Sequence, residues 1–164
     1  MTRDEERAIE WECQKVLRLY YQHVDRREFE KAVALFTPDV DWLGLGAPLK
    51  GREEILVALD AALGKSTARH VLTNTIVDVI DENHVAARSY NTLSTSHETT
   101  FEVGDSPIAY EGPNILADMS EKLVRTDEGW RIAWRRAVGV FRHNPQPIPL
   151  ETWAKDAGKV TPSS

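Results

Sequence analysis

Apolar residues in the first 63 positions recur every three or four residues, the spacing that places them on one face of a helix. Residues 3–24 carry such a stripe and predict a long first helix. The stretch "DRREFEKAVALF" predicts a short second helix that Pro38 ends, because proline cannot continue the hydrogen-bond ladder. A brief strand is predicted over residues 40–43, and a third helix over residues 52–63 that ends at Gly64.

The period changes from about 3.6 to 2 after this glycine, which predicts β-strands. Residues 67–80 and 84–96 form one predicted hairpin across "DEN", and residues 114–125 and 130–141 form a second across "TDEG". Residues 98–113 are rich in glycine and proline and are predicted to be a loop. Helices followed by antiparallel strands indicate an α+β domain, in which helices cover one face of a curved sheet. We expect one domain over residues 1–141 and a proline-rich C-terminal extension over residues 142–164.

Charge and composition narrow the choice of partner and compartment. The chain has 164 residues, 26 acidic against 20 basic side chains and a formal charge of -6. Nucleic acids and anionic membranes attract basic surfaces, so neither is the expected partner. Cys13 is the single cysteine and cannot form an internal disulfide. With no secretory leader and no apolar run of about 20 residues, we expect a cytoplasmic protein.

One predicted strand carries unexpected polar residues. In "TARHVLTNTIVDVID", regular alternation would place His70, Leu72, Asn74 and Ile76 on one face. A titratable ring and an amide would then lie in line with aliphatic side chains. Either this face is exposed at its start, or the histidine faces a cavity.

The order of elements, together with "YYQHVDRREFEKAVALFTPDVDW", "LKGREEIL", "RHVLTN", "HVAARSY" and "DEGWRIAWRR", resembles the SnoaL-like branch of the nuclear transport factor 2-like superfamily. The resemblance covers about residues 5–141. It implies a cone-shaped, cystatin-like α+β barrel: a curved, mixed but mostly antiparallel sheet wrapped around three N-terminal helices, with a deep apolar pocket. The superfamily includes dehydratases, isomerases and cyclases, and also proteins without catalysis.

The resemblance also implies a catalytic pair. The positions of Asp25, in "YYQHVDRREF", and His70, in "RHVLTN", match an aspartate and a histidine that meet inside the pocket of dehydratase relatives. Imidazole can accept a proton near neutral pH, and a carboxylate on its other nitrogen fixes the tautomer and stabilises the cation. Such a pair supports β-elimination or isomerisation with no metal or organic cofactor.

Each candidate residue also has an alternative interpretation. Asp25 could cap the second helix, with Glu28 completing a capping box, and His70 could be an ordinary hydrogen-bonded histidine. Aromatic packing, a structural amide or an exposed sheet edge would explain the other candidates. We expect these as substrate-binding residues: Tyr20, Tyr21, Trp42, Asn74, Tyr90, His97 and Asp118.

Two adjacent arginines complete the set of candidate residues. Arg135 and Arg136 point to opposite faces of a strand, so at most one faces inward, where it could bind an anion. We expect instead a salt bridge at a sheet-mediated dimer interface. Trp130 and Trp134 are predicted to lie on the outer face of the sheet, and a homodimer or higher homo-oligomer is expected.

The expected function is therefore that of a small cofactor-independent lyase of the dehydratase type, which acts on a small apolar cyclic molecule. The alternatives are a ketosteroid isomerase-like or polyketide cyclase-like enzyme, and a non-catalytic ligand-binding protein resembling a dioxygenase small subunit. The five histidines lack the spacings of metal ligands, so we expect no metal.

Overall fold

The computed structural model describes residues 1–44, 46–96, 100–102, 105–108 and 113–142. Within these ranges the chain forms helices and strands in the order α1 (Arg3–Asp25), α2 (Phe29–Val33), β1 (Phe36–Leu43), β2 (Pro48–Lys50), α3 (Gly51–Leu63), β3 (Thr67–Val79), β4 (His84–Ser96), β5 (Ile115–Thr126) and β6 (Gly129–Arg142).

The six strands form one curved sheet in the order β2-β1-β6-β5-β4-β3. Strands β3 to β6 follow one another as an antiparallel meander, and β1 joins the sheet by pairing parallel to β6. The helices precede the long strands, and the predicted α+β architecture is confirmed. Strand β3 lies at one edge of the sheet, where it faces α1.

Helix α1 supplies one side of the core. Its N-terminus is closed by a capping box, in which the Thr2 hydroxyl accepts from the Glu5 backbone and the Glu5 carboxylate accepts from the Thr2 backbone. Its buried stripe recurs every three or four residues and includes Cys13, whose pKa burial raises to about 12. This thiol is therefore a packing group and not a nucleophile. The stripe consists of Ile9, Cys13, Leu17, Tyr20, Tyr21 and Val24.

The second helix is shorter than the sequence pattern indicates. It ends at Val33, and Phe36, expected on that helix, opens β1. Pro38 lies within this strand, where the pairing with β6 is irregular between Phe36 and Asp41. Proline is tolerated at such a place because no ladder hydrogen bond needs its missing N–H.

A bulge in β3 changes which side chains face the core. Thr73 pairs with Tyr90 and Ile76 with Arg88, so Asn74 and Thr75 together oppose Ser89. Asn74 takes a left-handed backbone conformation with φ of 50°. The extra residue reverses the alternation, and Asn74 is exposed although His70 and Leu72 face inward. The expectation of a single face containing His70, Leu72, Asn74 and Ile76 is therefore wrong beyond Leu72.

A second bulge lies in β6. Lys122 pairs with Trp134, whereas the next residue of β5, Leu123, pairs with Ile132, so Ala133 is the extra residue. Trp130 is consequently buried inside at 3% exposure, and Trp134 lies outside beneath the Lys122 ammonium. The prediction that both tryptophans lie on the outer face is wrong for Trp130.

None of the described helices is both long enough and apolar enough to span a bilayer. The compartment stays a prediction. Strand β6 ends at Arg142, and residues 143–164 lie outside the described ranges, so the proposed division into a domain and a C-terminal extension also stays a prediction.

Replacing Asn74 by Val should lower the free energy of unfolding by about 1–2 kcal/mol, because a β-branched side chain is strained in the left-handed region. Asn74→Gly is the matched control and should change it by less than about 0.5 kcal/mol, since glycine adopts this conformation freely. Urea denaturation of both variants tests the bulge, and equal losses in the two would contradict it.

Candidate functional site

The end of α1 positions the first residue of the site. Arg27 adopts φ of 58°, its N–H donates to the Val24 carbonyl at 2.9 Å, and the Glu28 N–H donates to the His23 carbonyl at 2.9 Å. This pair of bonds is a Schellman motif, which here ends the helix with an arginine where glycine is usual. Asp25 is thereby the last residue of α1 and lies beside β3.

The structure brings Asp25 and His70 together. Asp25 Oδ1 lies 2.6 Å from His70 Nδ1, and Asp25 Oδ2 accepts the His70 backbone N–H at 3.0 Å. The two side chains are 14% and 8% exposed. Helix α2 has Glu28 at its N-cap position, and no side chain there makes a capping hydrogen bond, so the alternative that Asp25 caps this helix is wrong. Glu28 instead accepts from Lys31 and contacts His23.

This contact determines how the imidazole can act. A carboxylate accepts hydrogen bonds, so His70 carries its proton on Nδ1 and keeps a lone pair on Nε2. None of the described side chains hydrogen-bonds to Nε2. Tyr21, one turn before Asp25 on the same helix face, lies against the ring with 4.9 Å between centroids. The imidazole is thus held on two sides, with one basic nitrogen available.

Tyr21 also connects this pair to a buried arginine. The Arg135 guanidinium lies 5.4 Å from the Tyr21 ring and 4.0 Å from the Tyr20 ring. Phe36 and Trp42 complete the aromatic surround at 5.1 and 5.6 Å. Arg135 is fully buried. The expectation that it forms a salt bridge at an outer dimer interface is therefore wrong.

The buried partner of Arg135 is Glu121, its neighbour across β5 and β6. Arg135 Nη2 lies 3.3 Å from Glu121 Oε1, and both side chains are fully buried. This is an ion-pair distance, but neither group makes a well-directed hydrogen bond to a described residue. Burial raises the pKa of the Glu121 carboxyl, and the Arg135 charge offsets only part of that rise. The guanidinium therefore supplies a fixed positive charge that is paired with Glu121 through an ion-pair contact.

Two polar side chains on β4 have buried oxygen atoms without a hydrogen-bond partner in the described part of the chain. Ser89 and Asn91 are buried at 3% and 8% exposure, and neither Ser89 Oγ nor Asn91 Oδ1 has a hydrogen-bond partner among the described residues. Buried polar atoms are normally satisfied, so atoms like these are where bound water or a ligand places its own polar groups. Sequence reasoning missed Ser89, Asn91 and Glu121 as site residues.

Three of the predicted substrate-binding residues lie in this interior. Tyr20, Tyr21 and Trp42 are buried, and Tyr21 Oη and Trp42 Nε1 have no partner within the described ranges. Burial raises the pKa of Tyr20 to about 12 and raises that of Tyr21 as well. Both phenols are therefore protonated at neutral pH and can donate hydrogen bonds.

The other predicted substrate-binding residues do not join them. Tyr90 and Asp118 pair across β4 and β5 on the outer face, where Tyr90 is 45% exposed. Asn74 is exposed at the bulge. The prediction that Asn74, Tyr90 and Asp118 lie near His70 is therefore wrong, because each side chain points away from the interior. His97 falls outside the described residues.

Metal ligands do not cluster in the described part of the chain: no three histidine, cysteine or acidic side chains come close enough to hold an ion. The expectation that no cofactor is needed stays a prediction.

Comparison with known families identifies the fold family of this chain. The model of the SnoaL-like domain matches residues 5–136, which is most of the sequence. The chain belongs to the SnoaL-like family. A search of curated proteins finds no significant match.

Solved structures of similar shape agree with this assignment. A candidate scytalone dehydratase from Novosphingobium aromaticivorans has a TM-score of 0.74 at 17% identity, covering 89% of this chain and 93% of that one. A variant of a Mycobacterium tuberculosis protein of unknown function has a TM-score of 0.71 at 21% identity, covering 96% and 90%. ActVI-ORFA from Streptomyces coelicolor has a TM-score of 0.66 at 21% identity, covering 81% and 98%. At these identities the likeness shows the fold alone.

Replacing Glu121 by Leu should destabilise this SnoaL-like domain by about 3–5 kcal/mol, because it leaves the Arg135 charge buried without its counter-ion. The double variant Glu121→Leu/Arg135→Met should recover most of that loss, since it removes both charges. Urea denaturation of the single and double variants tests the pair. The exposed pair of Arg88 and Asp78 is the matched control, and Asp78→Leu should cost less than about 1 kcal/mol. A double variant no more stable than the single one would contradict the buried pair.

Proposed function

We propose that this SnoaL-like protein is a cofactor-independent lyase of the dehydratase type, acting on a small, mostly apolar cyclic molecule. The observation that carries the proposal is the 2.6 Å contact between Asp25 Oδ1 and His70 Nδ1. This contact leaves His70 Nε2 as the basic nitrogen of a side chain that is only 8% exposed. The Asp25 carboxylate, which accepts from both the ring and the backbone of His70, holds the imidazole in place.

The proposed reaction begins with proton transfer to His70. Nε2 takes a proton from a carbon next to a carbonyl group of the substrate, and the electrons of that C–H bond form a C=C double bond. The hydroxyl group on the next carbon, β to the carbonyl, leaves as its C–O bond breaks. The departing hydroxide takes the proton from the imidazolium and is released as water. Asp25 stabilises the imidazolium formed between these two steps.

In the proposed reaction, the polar side chains of the interior stabilise the negative charge that forms on the substrate. Negative charge grows on the carbonyl oxygen when the neighbouring carbon loses its proton, and a preorganised positive group stabilises that charge. Arg135 supplies a charge that does not titrate, and its N–H groups make no well-directed hydrogen bond to a described residue. Asn91 and Ser89 offer further polar contacts, and the faces of Tyr20, Tyr21 and Trp42 suit an apolar ring.

The family of this chain supports a group of related reactions and not one of them in particular. The SnoaL-like superfamily includes both polyketide cyclases and dehydratases, and one similar structure is a candidate scytalone dehydratase. A ketosteroid isomerase-like or polyketide cyclase-like reaction would use the same base and differ in the step after proton removal. A non-catalytic ligand-binding role is disfavoured, because a binding protein gains nothing from an oriented base.

The proposal predicts the effect of replacing each member of the pair. A panel of cyclic β-hydroxy ketones should include compounds that lose water in the presence of the wild-type protein. His70→Ala should lower kcat by about 10²–10⁴-fold, the usual contribution of a general base. Asp25→Asn should lower it by at least about 10-fold, because the amide has one acceptor oxygen for the two N–H groups of His70 and cannot stabilise the imidazolium.

The control is a second histidine-aspartate pair on the surface. His84 Nδ1 lies 2.9 Å from Asp81 Oδ1, and both side chains are more than half exposed. His84→Ala should therefore leave kcat unchanged. A wild-type rate for Asp25→Asn would refute the catalytic pair, and absence of water loss across the whole panel would count against the dehydratase reaction.

We also propose that the protein is a homodimer or a higher homo-oligomer. The outer face of β3 and β4 exposes three large apolar side chains, Val71 at 55%, Ile76 at 53% and Tyr90 at 45%. Three such side chains on one side of two paired strands suit a contact with a second copy. Sheet-mediated pairing remains the preferred assembly, although Trp130 does not contribute to this face.

Sedimentation velocity at micromolar concentration should show a dimer or larger species for the wild-type protein. Val71→Lys/Tyr90→Lys should shift it to monomer, because two lysines on each copy would meet across the contact. Val57→Lys is the control, since Val57 is 70% exposed on α3 and away from this face. A wild-type monomer would refute the assembly.

A further inference from the structure

Two consecutive residues of β3 reach the same aspartate from opposite faces of the strand. The side chains of Arg69 and His70 alternate, as neighbours on a strand must, and yet both contact Asp25. This is possible because β3 is an edge strand and α1 ends beside that edge. A side chain on the outer face of a central strand could not pass round its own backbone to the helix.

Arg69 satisfies a backbone group that the helix leaves unpaired. The Schellman motif uses the carbonyls of His23 and Val24, and the Asp25 carbonyl is the next one. The last carbonyls of a helix have no partner within the helix, and cations there also interact favourably with the helix dipole. Arg69 Nη1 donates to the Asp25 carbonyl at 3.2 Å and to the Ala68 carbonyl at 2.6 Å.

Asp25 is thereby held at both ends. Its carbonyl accepts from the Arg69 guanidinium, and its carboxylate accepts from the backbone and the ring of His70. The Schellman motif and the carboxylate already hold this terminus, and the Arg69 contact adds a further bond against fraying, which would move Oδ1 away from Nδ1. An aspartate fixed at both ends keeps the imidazole in one tautomer.

We propose that Arg69 is a positioning residue for the Asp25–His70 pair: it anchors the last turn of α1 to the edge strand and so keeps the His70 proton on Nδ1. This inference rests on the proposed function, since it assigns a further residue to the same site. Arg69 touches neither the proton acceptor Nε2 nor the interior side chains around Arg135.

The first test needs no substrate. Long-range ¹H–¹⁵N NMR of the histidine side chains distinguishes the two neutral tautomers at a pH where imidazole is uncharged. The wild-type protein should show His70 as the Nδ1–H tautomer. Arg69→Met keeps the aliphatic stem but removes the donors, and it should give a mixture with the Nε2–H form. Arg69→Lys restores a charged donor and should return the signal towards wild type.

Matched measurements separate positioning from general destabilisation. Arg88→Met removes an exposed arginine on the neighbouring strand, whose partner is Asp78, and it should leave the His70 tautomer unchanged. Thermal unfolding of each variant shows that the fold persists. With an active substrate, Arg69→Met should lower kcat by about 10-fold and change KM by less than about twofold, because misplacing a base reduces turnover more than binding.

The outcomes distinguish this inference from the proposed function. If Arg69→Met retains both the Nδ1–H tautomer and the wild-type kcat, the positioning role is overturned and the catalytic pair stands. If the wild-type protein itself shows mixed His70 tautomers, the pair is overturned, and the role of Arg69 falls with it. If Arg69→Met is unfolded, Arg69→Lys decides: a folded Lys variant with the Nδ1–H tautomer supports the role of a charged donor at this position, whereas a mixed tautomer or an unfolded Lys variant overturns a role limited to positioning.

Discussion

The contact between the Asp25 carboxylate and His70 fixes how α1 lies against the sheet. The apolar stripe of this helix buries hydrophobic surface, but hydrophobic attraction is not directional and tolerates small shifts along the helix axis. The two hydrogen bonds that this carboxylate accepts from one residue of β3 tolerate far less. Once the last turn of α1 is placed, Tyr21 lies against the His70 ring and Tyr20 against Arg135. The site therefore depends on the end of a helix as much as on the sheet.

The buried ion pair has no comparable structural necessity. Taking an arginine and a glutamate out of water is costly, and apolar residues of similar volume often give equal or greater stability. Arg135 and Glu121 lie in the interior where Trp42, Tyr20 and Phe36 already provide apolar packing. A charge kept in such a place is more readily explained by its effect on a ligand than by a contribution to the fold. Tyr21 lies between this charge and His70, with its ring 5.4 Å from the guanidinium and 4.9 Å from the imidazole.

The sequence was sufficient for the three helices and five of the six strands, because the hydrophobic period changes cleanly after α3, but it did not predict the three-residue strand β2. It also contains a signal for parts of the site that the sequence analysis missed. Ile115, Ala117, Met119 and Leu123 alternate along β5, and Glu121 falls in the same phase, which places it inside and Asp118 outside. The phase of β4 likewise sets Ser89 and Asn91 inward and Tyr90 outward. The pairing of Asp25 with His70 came only from the family resemblance, because no local rule connects residues 45 positions apart.

What the sequence could not provide is the position of the bulges, since a bulge depends on the partner strand as well as on its own residues. In β6, Trp130 and Ile132 face inward, and unbroken alternation would continue with Trp134 and Arg136. The extra residue at Ala133 reverses that order and turns Arg135 into the core beside Glu121.

The same holds at two other irregular points, the end of α1 and the bulge in β3. The left-handed Arg27 ends α1 so that Asp25 is its final residue, and the bulge at Asn74 opposes Ser89. Each irregularity gives up some regular backbone geometry, and each lies next to a polar side chain of the site. Local departures from ideal geometry persist where the surrounding structure holds them, and they concentrate at functional positions. At Arg27, Asn74 and Ala133, the local irregularity of the backbone determines which neighbouring polar side chains face the interior.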